Sequence, residues 1–263
     1  MKLFDLHGRT VLITGGAGYL GQSFTRAFIA AGAHVVLCER KEDVLASFAE
    51  TIRAEGGSIE YYAEDLQTPE GRRKLISEFK HDRLDVLMNN AYSGAGGTTE
   101  CSTAEDFRST YEIAVVCAFE LIQGFLPKLR AAARVNPGGA SVINIGSMYG
   151  MVSPDLRVYD SPKGSNPPFY GAAKAALLQL TKYWACEFGR EKIRVNGLSF
   201  GPFPNKNVQR MMPEFCAKLA NKDPMGRIGQ TEEVGGPAVF LGSDAASYVN
   251  GMNLVVDGGW NAW

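Results

Sequence analysis

Seven short runs of β-branched and other apolar residues alternate along the chain with segments that carry a helical pattern. The runs cover residues 10–14, 34–38, 58–62, 85–88, 140–145, 193–199 and 253–256. They are continuously apolar, as expected for strands whose two faces are both covered. Strands interleaved with helices in this way predict an α/β fold, in which a doubly wound, seven-stranded parallel sheet carries helices on both faces.

Three features between these runs predict where helices and loops lie. Ser102-x-x-Glu105 has the form of a capping box. Pro127 predicts the end or a bend of the helix that begins near Ala104. Residues 152–168 contain four prolines and no steady period, which predicts a long loop. No linker or repeat divides the chain, so residues 1–263 are interpreted as one domain with this loop inserted on the substrate side.

The first strand runs directly into a glycine-rich turn, and a helical pattern follows at once. Gly16-x-Gly18-x-x-Gly21 in this strand-to-helix context is the fingerprint of a Rossmann-type dinucleotide site. Glycine permits close approach of the backbone to a pyrophosphate, and the helix N-terminus favours its negative charge. The turn therefore predicts the following cofactor-binding residues: Gly15, Gly16, Gly18, Tyr19, Leu20 and Gly21.

Glu39 ends the second strand, where an acidic residue is expected to bind the hydroxyls of the adenosine ribose. Its carboxylate would repel a 2′-phosphate, so NAD is favoured over NADP, although the guanidinium of Arg40 could bind that phosphate. The third and fourth strands end at the same edge of the sheet, where such folds bind ligands. Further cofactor-binding residues are predicted there: Asp65, Leu66, Asn90 and Ala91.

Tyr170 and Lys174 lie four residues apart in a helical pattern, and Ser147 follows the fifth strand. Residues four apart share one helix face, so the phenol and the ammonium can reach the same cleft. A nearby cation lowers the pKa of a phenol and favours proton transfer near neutral pH. Ser147 can donate to an oxygen that becomes negative. Tyr159 also precedes a lysine by four residues, but Pro162 lies between them, which a helix resists.

The 263-residue chain has 45% hydrophobic and 21% charged residues, which is ordinary for a globular protein. Its 27 basic and 28 acidic residues nearly cancel without long runs of one sign, so neither nucleic acid nor a membrane is expected as a partner. The first residues lack the pattern of a signal peptide, and a cytoplasmic location is expected. Five cysteines without Cys-x-x-Cys spacing indicate neither a disulfide framework nor a zinc site, so no bound metal is expected.

In their order along the chain, these motifs resemble those of the classical short-chain dehydrogenase/reductase family, and the resemblance covers essentially the whole chain. It also rests on Ile193-Arg194-Val195-Asn196, Pro224-Met225-Gly226-Arg227 and Val256-Asp257-Gly258-Gly259. The resemblance implies that Tyr170 is the general acid and base, that Lys174 lowers its pKa and binds the nicotinamide ribose, and that Ser147 binds the substrate oxygen. It implies further cofactor-binding residues after the sixth strand: Gly201, Pro202 and Phe203.

Four positions depart from the pattern of that family: Tyr19, Tyr92, Phe200 and Ala114. The first three are expected to add aromatic rings near the cofactor cleft. Ala114 takes the place of an asparagine that, in the family, helps to hold a water connecting the lysine to solvent. The proton relay in this chain is therefore expected to use another group.

Ser147 and Tyr170 lie 23 residues apart, more than is typical of the family, because of an insertion within residues 155–168. The insertion is expected to shape the substrate pocket, and its polar side chains favour a hydroxylated or charged substrate. These side chains belong to Asp155, Arg157, Asp160, Lys163, Ser165 and Asn166. The alternative is a surface loop or an oligomer contact, since the resemblance implies a homo-oligomer, either a tetramer or a dimer.

The sequence thus predicts an oxidoreductase that transfers a hydride between NAD and a small polar alcohol or ketone, such as a sugar or a sugar-acid derivative. Two alternatives remain open. One is an NADP-linked reductase of the 3-oxoacyl type. The other is a catalytically silent, dinucleotide-binding regulatory protein.

Overall fold

The computed structural model describes residues 2–262, and its strands confirm the predicted α/β fold. The strands are β1 (Thr10–Thr14), β2 (His34–Glu39), β3 (Ile59–Ala63), β4 (Val86–Asn89), β5 (Ala140–Ile145), β6 (Ile193–Phe200) and β7 (Asn253–Val256). All seven pair in parallel in the order β3-β2-β1-β4-β5-β6-β7. Each strand begins and ends within one residue of its predicted bounds.

Helices connect the strands and cover both faces of the sheet. They are α1 (Gly21–Ala30), α2 (Glu42–Ala54), α3 (Pro69–Glu78), α4 (Ala104–Tyr111), α5 (Cys117–Val135), α6 (Pro168–Phe188), α7 (Lys206–Met211), α8 (Pro213–Lys222) and α9 (Gly235–Gly242). One turn of π-helix, Glu112–Val116, joins α4 to α5. Turns of this kind occur mostly within α-helices and are frequent at functional sites.

The sheet is buried on both faces because successive strand residues point to opposite sides and both kinds are apolar. Leu12 and Val36 pack in one core cluster with residues of α3, α5 and α6. Val11 and Val35 pack in a second cluster with residues of α1, α2 and α9. Because β1 lies between β2 and β4, the order of the strands reverses beside β1. Such a reversal opens a crevice at the carboxyl ends of the strands.

The predicted capping box at the start of α4 is displaced by one residue. Thr103 and Asp106 form the box, in which each side chain accepts from the backbone N–H of the other residue. The Ser102 hydroxyl instead donates to the Thr98 carbonyl at 2.8 Å. Ser102-x-x-Glu105 and Thr103-x-x-Asp106 have equivalent spacing, so the sequence pattern did not distinguish them.

Pro127 does not end the helix that contains it. It lies inside α5, which continues to Val135. The irregular turn of this long helical segment comes earlier, at the π-helix Glu112–Val116.

Residues 152–168 form the irregular segment that the prolines predicted, with two short 3-10 turns at Leu156–Val158 and Pro162–Gly164. The predicted helix with Tyr170 near its start begins directly afterwards, as α6. In the span from residue 2 to residue 262, no helix has both the length and the apolar character that crossing a membrane requires.

Candidate active site

The glycine turn after β1 is packed too closely for larger residues. Gly15 has a positive φ of 65°, in the left-handed region that favours glycine. A Cβ atom on Gly21 would lie 2.1 Å from the Gly15 carbonyl oxygen. The start of α1 is therefore held directly against the turn, so its backbone N–H groups lie where an anion can approach them.

The end of β4 is bound to the same turn by hydrogen bonds. The Asn90 side-chain amide donates to the carbonyl oxygens of Thr14 and Gly15 at 2.9 and 3.0 Å. In return, the Thr14 hydroxyl accepts from the backbone N–H groups of Asn90 and Ala91, each at 3.0 Å. These bonds fix the edge of the crevice between β1 and β4.

A cleft of about 410 Å³ lies along this edge, within the size range of small-molecule and cofactor sites. Most of the residues predicted to bind the cofactor line it: Gly15, Gly18, Tyr19, Leu20, Gly21, Glu39, Asp65, Leu66, Asn90, Ala91, Tyr170 and Lys174. The structure thus brings together residues at the carboxyl ends of four strands, β1 to β4, and two residues of helix α6.

The remaining predicted cofactor residues lie outside the lining of the cleft. Gly16 packs against β2, where a Cβ atom would lie 2.4 Å from Leu37. Pro202 and Phe203 line a separate cavity of about 120 Å³. Gly201 packs against Asp257. These four residues do not line the cleft in this structure, and their part in cofactor binding stays a prediction.

Two of the unusual aromatic residues differ in where they lie. Tyr19 lines the cleft, and its hydroxyl donates to the Pro204 carbonyl at 3.0 Å. Phe200 is buried in the core, with its ring 5.7 Å from that of Phe24 and 5.4 Å from that of Phe203. Phe200 therefore does not line the cleft, and its ring packs in the core instead.

Several lining residues were not predicted. They are Cys38, Glu64, Gln67, Ser93, Ile113 and Ile145. Most directly precede or follow a residue that was predicted, so the carboxyl end of each strand was the available signal. Ile113 is different because it lies in the π-helical turn, which no pattern in the sequence indicated.

Ser147, Tyr170 and Lys174 come together beside this cleft. The Lys174 ammonium donates to the Ile145 carbonyl at 2.6 Å and lies 5.8 Å from the centre of the Tyr170 ring. Ser147 is buried at the end of β5, and its hydroxyl accepts from the Tyr149 backbone N–H at 3.1 Å. The three side chains therefore come from the two elements that flank the inserted loop.

Two glycines allow these elements to approach each other. A Cβ atom on Gly171 would lie 2.6 Å from the Tyr149 carbonyl oxygen. A Cβ atom on Gly150 would lie 3.0 Å from the backbone of Lys174. The turn that begins at Ser147 can thus pack against the first turns of α6, which explains the glycine directly after Tyr170.

Burial governs the charges of this group. It raises the pKa of the Tyr170 phenol, an effect that hydrogen bonding to Ser147 partly opposes. Burial also lowers the pKa of the Lys174 ammonium to about 8. Without a ligand, Tyr170 is therefore a neutral phenol at neutral pH, and Lys174 is a cation that has no paired carboxylate within residues 2–262.

Tyr92, where the family pattern has glycine, contacts both of these residues. Its ring meets that of Tyr170 edge to face, with centres 4.9 Å apart. The Lys174 ammonium lies 5.5 Å from the centre of the Tyr92 ring. Burial raises the pKa of Tyr92 to about 12, so its hydroxyl stays protonated at neutral pH. The prediction that Tyr92 adds an aromatic ring near the cleft is confirmed.

Ala114 lies buried in the π-helical turn and supplies no polar side chain there. The buried guanidinium of Arg72 connects the start of this turn to the first turn of α5. It binds Glu112 at 2.5 Å and Glu120 at 2.6 Å. Arg72 also donates to the Leu66 carbonyl at 2.9 Å, so it connects the π-helical turn to the lining of the cleft.

The inserted segment 152–168 packs between the Ser147 turn and α8. The Tyr149 and Tyr159 hydroxyls share a hydrogen bond of 3.0 Å, and the Tyr159 ring lies 5.4 Å from that of Phe215. Both tyrosines and Tyr170 belong to one apolar cluster.

Most charges of this segment are paired within the protein. The Asp155 carboxylate accepts from Arg157 and from Lys222 of α8, each at 2.9 Å. The Asp160 carboxylate accepts from Lys218 at 2.7 Å. These groups therefore attach the segment to α8, which weakens the prediction that their charges bind a substrate.

The cleft has the features that a dinucleotide requires. A glycine turn meets a helix N-terminus, and the Glu39 carboxylate lies at the end of β2. Lys174 uses only one of its three ammonium hydrogens on a protein acceptor within the described chain. A ligand with hydroxyl groups in the cleft could therefore satisfy the others.

Comparison with known proteins agrees with this geometry. Residues 16–261 match a family described as enoyl-(acyl carrier protein) reductase. The chain is 34% identical to the rhamnolipids biosynthesis 3-oxoacyl-[acyl-carrier-protein] reductase of Pseudomonas aeruginosa, and the match covers 98% of each chain. It is 30% identical to the 2-dehydro-3-deoxy-D-gluconate 5-dehydrogenase of Bacillus subtilis, over 98% of this chain and 96% of the relative.

Solved structures extend the similarity to the fold. The complex of Pseudomonas aeruginosa RhlG with NADP superposes with a TM-score of 0.88 at 32% identity, covering 99% of each chain. A gluconate 5-dehydrogenase from Burkholderia cenocepacia, in complex with NADP and tartrate, gives 0.86 at 29% identity and covers 100% of this chain and 98% of the other. The chain therefore belongs to the short-chain dehydrogenase/reductase family and is an NAD(P)-dependent oxidoreductase that acts on alcohol and ketone groups.

Proposed function

We propose that this oxidoreductase interconverts a small polyhydroxylated ketone, of the sugar-acid kind, and its alcohol. The observation that carries the proposal is the close grouping of Ser147, Tyr170 and Lys174 beside a cleft suited to a dinucleotide. We propose these three as the catalytic residues. Because all three are retained, the proposal favours an active enzyme over a silent regulatory protein.

The roles of these residues follow from their positions and charges. When bound, the dinucleotide supplies or accepts the hydride. During reduction, Tyr170 donates its phenolic proton to the substrate oxygen as that oxygen becomes negative, and the Ser147 hydroxyl donates a hydrogen bond to the same oxygen. The Lys174 ammonium stabilises the phenolate that remains. During oxidation each proton moves in the opposite direction.

Tyr92 acts in this proposal as a positioning residue. Its ring packs edge-on against Tyr170 and covers one side of the Lys174 ammonium. It thereby holds the phenol in one orientation and keeps water from that side. Since Ala114 offers no polar side chain, we propose that water reaches Lys174 from the cleft itself to return the proton.

The dinucleotide binds along the glycine turn in this proposal, with its adenosine ribose at Glu39. Burial raises the pKa of the Glu39 carboxyl, and Arg40 beside it opposes that shift. A carboxylate that accepts from the 2′-hydroxyl repels a 2′-phosphate, so we propose a preference for NAD. Arg40 also lines the cleft, which leaves a way to bind NADP, the cofactor named in the complexes of two structural relatives.

The substrate class rests on the inserted segment 152–168, which we propose forms one wall of the substrate pocket. Its Tyr159 hydroxyl is paired with that of Tyr149 in the cluster that contains Tyr170. Paired hydroxyls can donate to and accept from a hydroxylated substrate. The gluconate-type relatives favour the same class. The second candidate, a 3-oxoacyl substrate, is favoured by the 34% identity to the Pseudomonas aeruginosa reductase.

A turnover screen tests this function. Purified protein is assayed for change in nicotinamide absorbance with sugar acids, polyols and 3-oxoacyl thioesters, with each dinucleotide. We expect turnover of a sugar acid, and a loss of about 10²-fold or more in kcat for Tyr170→Phe. The control is Tyr183→Phe, an exposed tyrosine of the same helix. Dinucleotide binding without any turnover would support the silent regulatory protein, and turnover of thioesters alone would support the second candidate.

The cofactor preference has its own test, the ratio of kcat/KM for NADH and NADPH. We expect the wild-type enzyme to favour NADH, and Glu39→Ala to shift the ratio toward NADPH by about tenfold, because the repulsion of a 2′-phosphate is lost. A clear preference of the wild-type enzyme for NADPH would overturn the role assigned to Glu39.

We also propose a homo-oligomer, a tetramer or a dimer, in the cytoplasm. The exposed aromatic rings of Phe119 on α5 and Tyr183 on α6 support an interface through these helices. The five cysteines are all free, which agrees with a reducing compartment. Light scattering of the purified protein tests the assembly, and a monomer at micromolar concentration would contradict it.

A further inference from the structure

Two histidines and a glutamate meet at the end of the sheet opposite the cleft. The Glu60 carboxylate lies 3.4 Å from His34 Nε2 through one oxygen and 3.4 Å from His81 Nε2 through the other. One ligand atom from each residue lies within 4.8 Å of the other two. The two imidazole rings are 5.0 Å apart. This group is called the His-Glu-His cluster below.

The cluster is assembled from three separate parts of the chain. His34 is the first residue of β2, and Glu60 lies on the neighbouring edge strand β3, where it pairs with Val36. His81 lies in the connection between α3 and β4, where the Lys128 ammonium donates to its backbone carbonyl at 2.6 Å. The spacing along the sequence therefore gave no sign of the cluster.

The ring nitrogens that face the carboxylate lack hydrogen bonds. His34 Nε2 and His81 Nε2 are both buried and, within the described residues, have no hydrogen-bond partner. Buried polar atoms without a partner are uncommon in native proteins, so a bound group that pairs with these two nitrogens is expected. The side chains remain 24% and 23% exposed, so a small ion can still reach the space between them.

The hydrogen bond at His34 Nδ1 determines whether Nε2 of the same ring is a donor or an acceptor. His34 Nδ1 lies 2.7 Å from the Ser58 hydroxyl. If Nδ1 donates its hydrogen to Ser58, Nε2 presents a lone pair to the Glu60 carboxylate, and two acceptors face each other. A cation between them removes this repulsion.

We propose that the His-Glu-His cluster binds one divalent transition-metal ion of the zinc class. Zinc bonds to imidazole nitrogen and carboxylate oxygen are about 2.1 Å long, so neighbouring ligand atoms of a tetrahedral site lie about 3.4 Å apart. Each imidazole nitrogen has that separation from one of the two Glu60 oxygens, and one ligand atom from each residue lies within 4.8 Å of the others, so a small rotation of the carboxylate would bring one oxygen to both nitrogens. Two imidazoles and one carboxylate suit zinc, with water as the fourth ligand.

This site is structural and separate from the proposed catalytic residues. It joins the edge strand β3 to the α3–β4 connection at the amino ends of the strands, whereas the cleft lies at their carboxyl ends. Bound metal therefore stabilises the folded chain by mass action without taking part in hydride transfer. Cysteine spacing could not indicate this site, because the site contains no cysteine. Its three residues are far apart in sequence, and only the fold brings them together.

Metal titration of the chelator-treated, full-length protein tests the proposal. We expect one Zn²⁺ per chain by calorimetry, a raised melting temperature, and the visible absorption of tetrahedral Co²⁺ with cobalt as the probe. His34→Gln and His81→Gln should weaken binding by about 100-fold or more, and Ser58→Ala by about tenfold, because Ser58 only orients a ligand. His7→Gln, which changes the exposed third histidine, is the matched control and should bind as the wild type does.

Two further measurements separate binding at the cluster from binding at surface thiolates and from loss of the fold. The exposed cysteines Cys101 and Cys186 are replaced by serine in every variant, so their thiolates cannot bind the probe. Circular dichroism and dinucleotide binding without metal should match the wild type in each histidine variant, which shows that the fold is retained. Absence of Zn²⁺ and Co²⁺ binding at micromolar concentration, or equal binding by the folded His34→Gln and His81→Gln variants, would overturn the proposal.

Discussion

Buried polar groups at the two ends of the parallel sheet differ in how many hydrogen bonds they make to the rest of the protein. At the amino ends, the Asp85 carboxylate accepts from the Thr10 backbone N–H at 2.7 Å and from the Asn136 amide at 2.6 Å. The Arg194 guanidinium donates to three backbone carbonyls. At the carboxyl ends, the buried Lys174 ammonium donates to one carbonyl and has no paired carboxylate among the described residues.

This difference in hydrogen bonding indicates where the chain binds other molecules. Buried groups whose hydrogen bonds go to other parts of the protein hold the fold together. Buried groups with unpaired polar atoms cost stability, and a bound ligand that pairs with them offsets that cost. By this criterion the His-Glu-His cluster differs from Asp85 and Arg194 at the same end of the sheet, and it resembles the cleft.

Loss of the Ser147 hydroxyl should have the largest effect and should act on rate rather than on folding. We expect Ser147→Ala to lower kcat by about 10²- to 10³-fold, because the developing negative charge on the substrate oxygen loses a donor. The free energy of unfolding should fall by only about 1 kcal/mol, from loss of the cap on the Tyr149 N–H. If Ser147→Ala lost enough stability to account for its lower kcat, the contrast between a functional carboxyl end and a structural amino end of the sheet would be contradicted.

Loss of the Asp85 carboxylate should have the reverse effect. We expect Asp85→Ala to lower the free energy of unfolding by about 3 kcal/mol, since it leaves the buried Thr10 N–H and the partly buried Asn136 amide without this acceptor. The kcat of the remaining folded enzyme should be unchanged. Urea denaturation and active-site titration measure the two quantities. Asp82→Ala, at an exposed position nearby, is the control and should change stability by less than about 0.5 kcal/mol.

The sequence predicted the carboxyl-end site well because its parts are local. The glycine turn, the strand ends and the Tyr170–Lys174 spacing each lie within a few residues, and the parallel strands bring them to one edge. Local spacing was not sufficient where packing decides. Phe203 turns into a second cavity beside Phe200, and equivalent spacings left the α4 capping box ambiguous.

Features formed by residues far apart in sequence were not predicted. The π-helical turn at Ala114 is held by Arg72 through Glu112 and Glu120, which come from different helices. The His-Glu-His cluster likewise depends on the register of β2 and β3 and on the position of one connection. Neither carries a local period or motif, so only the packed structure shows it.

An effect of similar size, confined to part of the pH range, is expected from Lys174, whose burial destabilises the cofactor-free protein. Burial lowers the pKa of this ammonium to about 8 in the folded protein, from 10.5 for a free side chain. Between these values the unfolded chain binds a proton that the folded chain does not, so the contribution of Lys174 to the free energy of unfolding rises with pH. Below pH 8 the buried cation costs the cofactor-free protein about 3 kcal/mol.

Lys174→Met should therefore be more stable than the wild type at pH 7, and this difference should shrink as the pH rises from about 8 to about 10. Urea denaturation of both proteins without dinucleotide measures the difference at each pH. Lys182→Met, on the exposed side of the same helix, is the control and should differ from the wild type by a constant amount. If the Lys174→Met difference is also constant, the ammonium is satisfied in the folded protein. The carboxyl end of the sheet would then be as complete as the amino end.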